Sequence, residues 1–191
     1  MKNNRKAILF SAPSGSGKTT IIKQVLQRYN CFQFSISATS RQPREGEIHG
    51  RDYYFLSADE FEQQVRNDQF LEWEEVYHGT RYGTLKSEID RIWNEGSVII
   101  FDVDVKGGMN IKRYFGDDAL AIFVMPPSIE VLEQRLRSRG TESEESIQKR
   151  LGRSAEELKQ ADNFDITIIN DDLATAVEQT CQAINNYLEE R

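Results

Sequence analysis

The chain reads as an α/β fold, a parallel sheet at the centre with helices on both faces. Three observations predict it. Four short apolar runs, AILFS at 7–11, VIIFDV at 98–103, LAIFVM at 120–125 and ITII at 166–169, have the length and continuity of strands buried on both faces. Segments with apolar residues at helical spacing lie between or after them, and strands alternating with helices build a parallel sheet. A loop rich in glycine and serine joins the first run to the first helical pattern.

In chain order, the first run leads through SAPSGSGKTT to Ile21, Ile22, Val25, Leu26 and Tyr29, which share one helical face. Residues 37–96 then break the rhythm. DYYFLS at 52–57 and FLEWEEVY at 70–77 read as more polar, half-exposed strands, with ADEFEQQVRNDQ between them as a short helix. A further helix is expected over 86–94 before Gly96, and REGEIHGR and HGTRYGT read as turns. The stretch is expected to form an inserted subdomain with its own partly antiparallel sheet. From Ser128, Ile129, Leu132 and Leu136 recur at helical spacing, and a second insertion is expected at 135–157. Within it Gly140 stands where a helix stops, and TESE at 141–144 is a capping box for the next. Leu173, Val177, Cys181, Ile184 and Leu188 mark a last helix. The core is thus expected to comprise 1–36, 97–134 and 158–191.

Composition narrows the function classes. With 191 residues, 38% hydrophobic and 29% charged, the chain fits one globular domain large enough for a real core. No run approaches the roughly 18 apolar residues that span a bilayer. The N-terminal basic residues precede an apolar stretch shorter than the roughly 7–15 residues of a secretory signal, so the expected location is cytoplasmic. Cys31 and Cys181 have no metal-ligand spacing, and His49 and His78 stand alone, so neither a disulfide nor a zinc site is expected. A net charge of −7 argues against nucleic acid and anionic membranes as partners. Oligomeric state has no signature here. Any bound anion must be captured by locally concentrated positive charge, and residues 134–153 carry six basic against three acidic side chains.

The first loop supplies such a place. The pattern G-x-x-x-x-G-K-[ST] is met at Gly17, Lys18 and Thr19, with Ala12 in place of the first glycine and Pro13, Ser14, Gly15 and Ser16 between. Gly15 and Gly17 let the backbone curl so that N–H groups point inward at a polyphosphate. The helix that starts here adds its positive end. Lys18 is expected to reach the β- and γ-phosphates and the Thr19 hydroxyl to touch Mg²⁺. Asp102 and Asp104 end a buried strand. A carboxylate in that place, beside such a loop, is where Mg²⁺ or its water shell is held, which assigns Asp102 to the metal.

The acceptor must be sought in residues 35–57. Arg41 and Arg44 flank a proline, so they sit on a constrained turn, and Tyr53 follows. Two guanidinium forks and a phenol can converge on one phosphate. Taken alone, the segment equally fits surface arginines balanced by Glu45 and Glu47. FLEWEE adds Glu72, and TRYGT adds Tyr82 and Thr84. Guanine presents two adjacent donors, N1–H and the N2 amino group, and a carboxylate can accept both. Adenine lacks that pair and would leave a buried carboxylate unpaired. A hydroxyl such as Ser37 can donate to O6. Spacing alone does not bring these residues together.

The motifs SAPSGSGKTT, SATSRQPREGEIHGRDYYF, FLEWEEVY, RYGT, IIFDVDVKG, RLRSRGTESEESIQKRL and IIND, in this order, resemble the guanylate kinases of the nucleoside monophosphate kinase group over nearly the whole chain. The resemblance implies a P-loop three-layer fold with a parallel core sheet, an inserted monophosphate-binding subdomain at 37–96 and a helical lid at 135–157. It implies transfer of the γ-phosphoryl group of Mg·ATP to GMP, and to dGMP. ATP would be held by Ala12, Pro13, Ser14, Gly15, Ser16, Gly17, Lys18, Thr19 and Thr20, with Asn170 near its adenine. Ser37 and Glu72 would contact guanine, with Thr84 and Asp104 nearby. Arg41, Arg44, Tyr53 and Tyr82 would hold the phosphate of GMP, and Arg139 and Arg150 would close with the lid. Lys18, Arg41, Arg139 and Arg150 would carry the catalysis. Two alternatives remain open at this point. One is a kinase for another small phosphate ester such as ribose 1,5-bisphosphate, which has no use for Glu72 with Ser37. The other is a non-catalytic binding module on the same fold, against which the intact Lys18 speaks.

Overall fold

A computed structural model describes residues 5–77, 79–138 and 144–189. β1 (Ala7–Ser11) leads through the glycine-rich loop into α1 (Lys18–Arg28). β2 (Phe32–Phe34), β3 (Ala38–Thr39), β4 (Tyr54–Phe55), α2 (Ala58–Arg66), β5 (Phe70–Tyr77), β6 (Thr80–Leu85) and α3 (Lys86–Asn94) follow. β7 (Val98–Asp102), α4 (Val105–Phe115), β8 (Ala119–Met125), α5 (Ile129–Ser138), α6 (Glu144–Leu158), β9 (Ile166–Ile169) and α7 (Leu173–Glu189) complete the order. Among the described residues no helix is long and apolar enough to cross a membrane.

The expected parallel sheet is present, with strand order β2-β7-β1-β8-β9 and every pair parallel. Its two faces follow from the period-two alternation of strands. Ile8 and Phe10 of β1, Ile100 of β7 and Ile122 and Val124 of β8 pack toward α1 and α7, meeting Ile21, Val25, Val177 and Ile184. Leu9, Ile99, Phe101, Ala121 and Phe123 pack on the opposite face with Ile89 and Ile92 of α3 and Ile111 of α4. Each fully buried Phe or Ile here contributes on the order of 1.5–3 kcal/mol relative to exposure, which is why these strands read as continuous apolar runs.

A second sheet has the order β4-β3-β6-β5, with β3 and β4 parallel and the other pairs antiparallel. Its core is small: Ala38, Phe61 and Phe70, with Tyr54, Leu56, Val65 and Leu85 against them. Phe61 and Phe70 stack with ring centroids 4.4 Å apart. α2 covers this sheet and starts at a capping box, in which the Ser57 hydroxyl accepts from Glu60 N (3.2 Å) and the Glu60 carboxylate accepts from Ser57 N (2.7 Å).

Several local expectations change. The strand expected over 52–57 shortens to β4, because Asp52 turns its carboxylate back on Ile48 N (2.8 Å) and holds the chain in a turn. HGTRYGT is not a turn throughout: residues 80–85 are β6, paired with β5. Neither β2 nor α4 is legible as an element in the sequence. α4 contains the pair Gly107–Gly108, which disfavours a helix by propensity. Packing overrides it, since a side chain on Gly108 would collide with the Ser11 hydroxyl and Phe164. The expected helix stop at Gly140 and residues 141–143 of the expected capping box lie outside the described residues, and α6 starts at Glu144.

Candidate active site

Two pockets adjoin at the C-terminal end of β7, sharing Asp102, Val103 and Asp104. In open parallel sheets this end of the strands is where ligands bind. The first pocket, of about 400 Å³, is lined by the whole loop from Ala12 to Thr20 and by Arg150, Arg153 and Glu157 of α6. Gly17 is the N-cap of α1 at φ 90°, a left-handed conformation, and no side chain caps the helix. Thr20 N and Ile21 N close the first turn on the Gly17 carbonyl (3.1 and 3.2 Å), and with no side-chain cap the N–H groups of Lys18 and Thr19 ahead of them suit a bound anion. A side chain at Gly17 would run into the Asn170 amide beneath the loop.

Lys18 Nζ lies 2.6 Å from Asp102 Oδ1 and donates to the Val103 carbonyl (2.6 Å). The Thr19 hydroxyl donates to Asp102 Oδ2 (3.3 Å). Strand β7 thus delivers a carboxylate to the lysine and hydroxyl of the loop, which joins the two expected metal-side residues. From α6, Arg150 Nη1 reaches the Ser14 hydroxyl (3.2 Å), which brings that arginine to the loop. Arg139 lies outside the described residues.

The loop is held from below. Asn170 is buried, and its amide donates to the Ser16 carbonyl (2.7 Å). Arg135 Nη2 donates to the Asn170 carbonyl (2.9 Å). Arg135 was not singled out in the sequence, although it belongs to the same basic motif as Arg139. Arg153 was also missed. It bridges Asp104 Oδ2 (3.0 Å) and Glu157 Oε1 (2.7 Å), tying α6 to the start of α4. Its spacing of three from Arg150 was the available signal. Asp104 also caps α4, accepting from Gly107 N (2.8 Å).

The second pocket, of about 170 Å³, is lined by Ser37, Tyr53, Glu72, Glu74, Val76, Tyr82, Gly83 and Gly107 beside the shared residues. The second sheet brings these together, since β5 supplies Glu72, β6 supplies Tyr82, and Ser37 precedes β3. Burial pushes the Glu72 carboxyl up to about 7, and the neighbouring Asp104 and Glu74 carboxylates act the same way, against a hydrogen bond from the Thr84 hydroxyl. That bond runs to Oε1 at 2.8 Å from a buried Thr84. A side chain on Gly107 would press on the Glu72 carboxylate at 3.2 Å.

Arg41 stands at the rim, its guanidinium over the rings of Tyr53 (4.9 Å) and Phe55 (5.5 Å), with Nε donating to the Tyr82 hydroxyl (3.2 Å). Both terminal nitrogens of Arg41 are held by Glu47, at 2.6 and 2.7 Å. The Arg41 fork, with the Arg44 N–H, draws the Glu47 carboxyl down to about 2. Neither arginine is among the residues lining the pocket, and the Arg44 residue is exposed. Chemically, one pocket offers N–H groups and a lysine to a polyphosphate. The other offers an acceptor carboxylate and two phenols to a smaller phosphorylated ligand, with the Arg41 fork beside them engaged by Glu47.

Comparison with known proteins agrees with this geometry. The family model described as guanylate kinase matches residues 4–190. A guanylate kinase of Porphyromonas gingivalis is 52% identical over 184 residues, covering 96% of this chain and 98% of its own length. One from Salinibacter ruber is 48% identical over 97% of this chain and 98% of its own. The crystal structure of guanylate kinase from Anaplasma phagocytophilum superposes with a TM-score of 0.74 at 25% identity, covering 95% of this chain and 85% of that one. With a family model spanning nearly every residue and half-identical relatives of matching length, the chain belongs to the guanylate kinase family.

Proposed function

We infer that the chain transfers the γ-phosphoryl group of ATP to GMP, giving ADP and GDP. The observation that carries this reading is the meeting of two unlike pockets at Asp102–Asp104, one a phosphate loop and the other built around the buried acceptor Glu72. We assign ATP to the loop residues 12–20, and Asn170 to the vicinity of its adenine, where with Arg135 it also holds the loop in shape. Guanine is assigned to Glu72 and Ser37, with Thr84 orienting Glu72 and Asp104 alongside. The GMP phosphate is assigned to Arg41, Arg44, Tyr53 and Tyr82. None of these assignments addresses the ribose 2′-hydroxyl, so dGMP belongs to the same substrate class.

Residues 37–96 then act as the acceptor subdomain on the core of 1–36, 97–134 and 158–191, and 135–157 as the lid. Phosphoryl transfer needs alignment and charge neutralisation more than acid–base chemistry. Arg41 and Arg44 fix the attacking phosphate oxygen. Lys18 and Arg150, with Arg139, spread charge from the migrating group. The lid keeps out water, the competing acceptor. Arg41 must release at least part of its hold on Glu47 to grip a phosphate, so the acidic partner keeps the fork oriented until substrate arrives.

Mg²⁺ fits the donors at the loop. Thr19 and Asp102 are hard oxygen ligands, and among the described residues no group of three His, Cys, Asp or Glu makes a cage of its own. That is the manner of an ion held by one or two protein oxygens together with substrate phosphates. When bound there it supplies neutralisation of the polyphosphate. The unpaired Cys31 and Cys181 suit a reducing cytoplasm, and the net charge of −7 speaks against nucleic acid or anionic membrane as partner.

The test is ADP release from Mg·ATP with GMP, dGMP, AMP, CMP, UMP or ribose 1,5-bisphosphate as acceptor. Turnover confined to GMP and dGMP is expected. Turnover with the sugar phosphate would discard the guanine pocket, and folded protein without turnover on any acceptor would favour a binding module.

A further inference from the structure

The segment that carries the second pocket meets the core at one buried charge. Glu88, in the first turn of α3, is 2% exposed and lines neither pocket. Its Oε1 accepts from Ile36 N (3.0 Å) and Arg91 Nη2 (2.8 Å). Its Oε2 accepts from the Tyr54 hydroxyl (2.9 Å) and Arg91 Nε (3.0 Å). Arg91 reaches on to Gln33 of β2 (3.1 Å) and to Glu95 (3.1 Å). One carboxylate therefore joins α3, the link between β2 and β3, and β4. Burial pushes the Glu88 carboxyl up, but Arg91, the Ile36 N–H and the Tyr54 hydroxyl outweigh it and hold the group below the ordinary range.

Stability is a weak reason for such a group, because apolar residues of similar size replace buried ion pairs with little loss or a gain. Its neighbours in the chain suggest another reason. Ile36 immediately precedes Ser37, and Tyr54 immediately follows Tyr53. Tyr54 N also donates to the Ser37 carbonyl (2.9 Å), which closes a ring through Glu88, Ile36, Ser37 and Tyr54. Alternate residues of an extended chain face opposite ways. Pinning Tyr54 toward Glu88 turns Tyr53 and Phe55 the other way, toward Arg41, whose guanidinium lies over both rings.

We propose that Glu88 is a positioning residue for the acceptor nucleotide, setting Ser37 and Tyr53 from beneath the second pocket without touching the nucleotide itself. The proposal rests on the assignment of GMP to that pocket. Glu88→Gln keeps the shape and removes the charge, while Tyr54→Phe removes a single hydroxyl and leaves the Glu88–Arg91 pair. Kinetics with each substrate varied in turn, GMP binding by calorimetry without ATP, and thermal unfolding are measured on wild type, both single variants and the double variant. We expect the KM and Kd for GMP to rise about five- to tenfold in Glu88→Gln and roughly two- to fivefold in Tyr54→Phe, with KM for ATP and kcat within about twofold. The double variant is expected to be little worse than Glu88→Gln, since both changes cut the same link.

Unchanged GMP constants in Tyr54→Phe and Glu88→Gln would overturn the proposal, as would a parallel rise in both KM values, which marks general loosening. If Glu88→Gln does not fold, Tyr54→Phe decides alone. Wild type inactive on GMP would remove the pocket assignment and this proposal together. Wild type active on GMP, with both variants normal, would remove only the proposal.

Discussion

The loop pocket and the acceptor pocket share Asp102, Val103 and Asp104 but are built from different materials. The loop pocket rests on a stretch of backbone, clamped between the fully buried strand β1 and α1, held from below by Asn170 and Arg135, and faced by side chains of α6. The acceptor pocket is side chains, displayed on a small sheet whose core, among the described residues, buries Ala38, Phe61 and Phe70. Its shape depends on polar links such as Thr84 to Glu72, Glu47 to Arg41 and Tyr54 to Glu88. Each pocket is accordingly vulnerable in its own way. The first should fail when backbone room is taken away, the second when a charge or a hydroxyl is removed.

The sharpest break is at the shared end. Lys18→Met removes the one charged side chain of the loop, to which we assign the transferred group, and is expected to lower kcat by about a hundredfold or more while KM for GMP stays near that of wild type. Single-turnover kinetics with GMP saturating checks this. Gly17→Ala attacks the backbone instead. A Cβ at φ 90° is strained and runs into the Asn170 amide, so kcat/KM for ATP should fall roughly a hundredfold with GMP binding by calorimetry unchanged.

Glu72→Gln is the corresponding change on the acceptor side. It offers an amide N–H to guanine donors, and kcat/KM for GMP should drop by about a hundredfold with KM for ATP intact. Its pH behaviour sharpens the point. If guanine takes the Glu72 carboxylate, with that carboxyl pushed up to about 7 by burial, wild-type affinity for GMP should rise from pH 6 to 8 more steeply than that of the variant, in which only the ligand phosphate still titrates. Stability runs the other way. The folded value lies above the ordinary 4.5, so the folded state holds the extra proton and loses stability as pH rises from 4.5 to about 7. The thermal midpoint of Glu72→Gln relative to wild type should therefore climb across that window. Arg41→Met is expected to have the smallest effect, about tenfold in KM for GMP with a lesser change in kcat, because Arg44, Tyr53 and Tyr82 remain. An Arg41→Met enzyme with normal GMP kinetics would show that the fork serves only Glu47.

How far each region was legible follows the same division. β1, β7, β8 and β9 were readable within a residue or so because burial on both faces leaves an unbroken apolar run. β5 and α3 were readable because alternation or spacing marks a half-buried face. β4 was overextended and β6 taken for a turn, since very short strands on a small sheet carry little apolar signal and answer to side-chain bonds such as Asp52 to Ile48 N. α4 was hidden by its two glycines, which are there for room beside Glu72, Ser11 and Phe164. In the site, the phosphate loop stood out because its residues are contiguous. Arg135, Arg153 and Glu88 did not, because their meaning lies in partners 35, 49 and 52 positions away.

Along the chain, the residues already specify the parallel core, a loop shaped for a polyphosphate, and residue types with the donors and acceptors to match guanine and a second phosphate. These are local matters of burial, backbone freedom and donor–acceptor chemistry. Only the tertiary structure decided that Glu72, Ser37, Tyr53 and Tyr82 face one cavity, that Asp102 meets both Lys18 and Thr19, and that a buried carboxylate on α3 lies beneath the acceptor pocket. Convergence of this kind is set by how two sheets pack and where their connections cross. The free energy of that packing is spread over many distant contacts, which no single stretch of sequence displays.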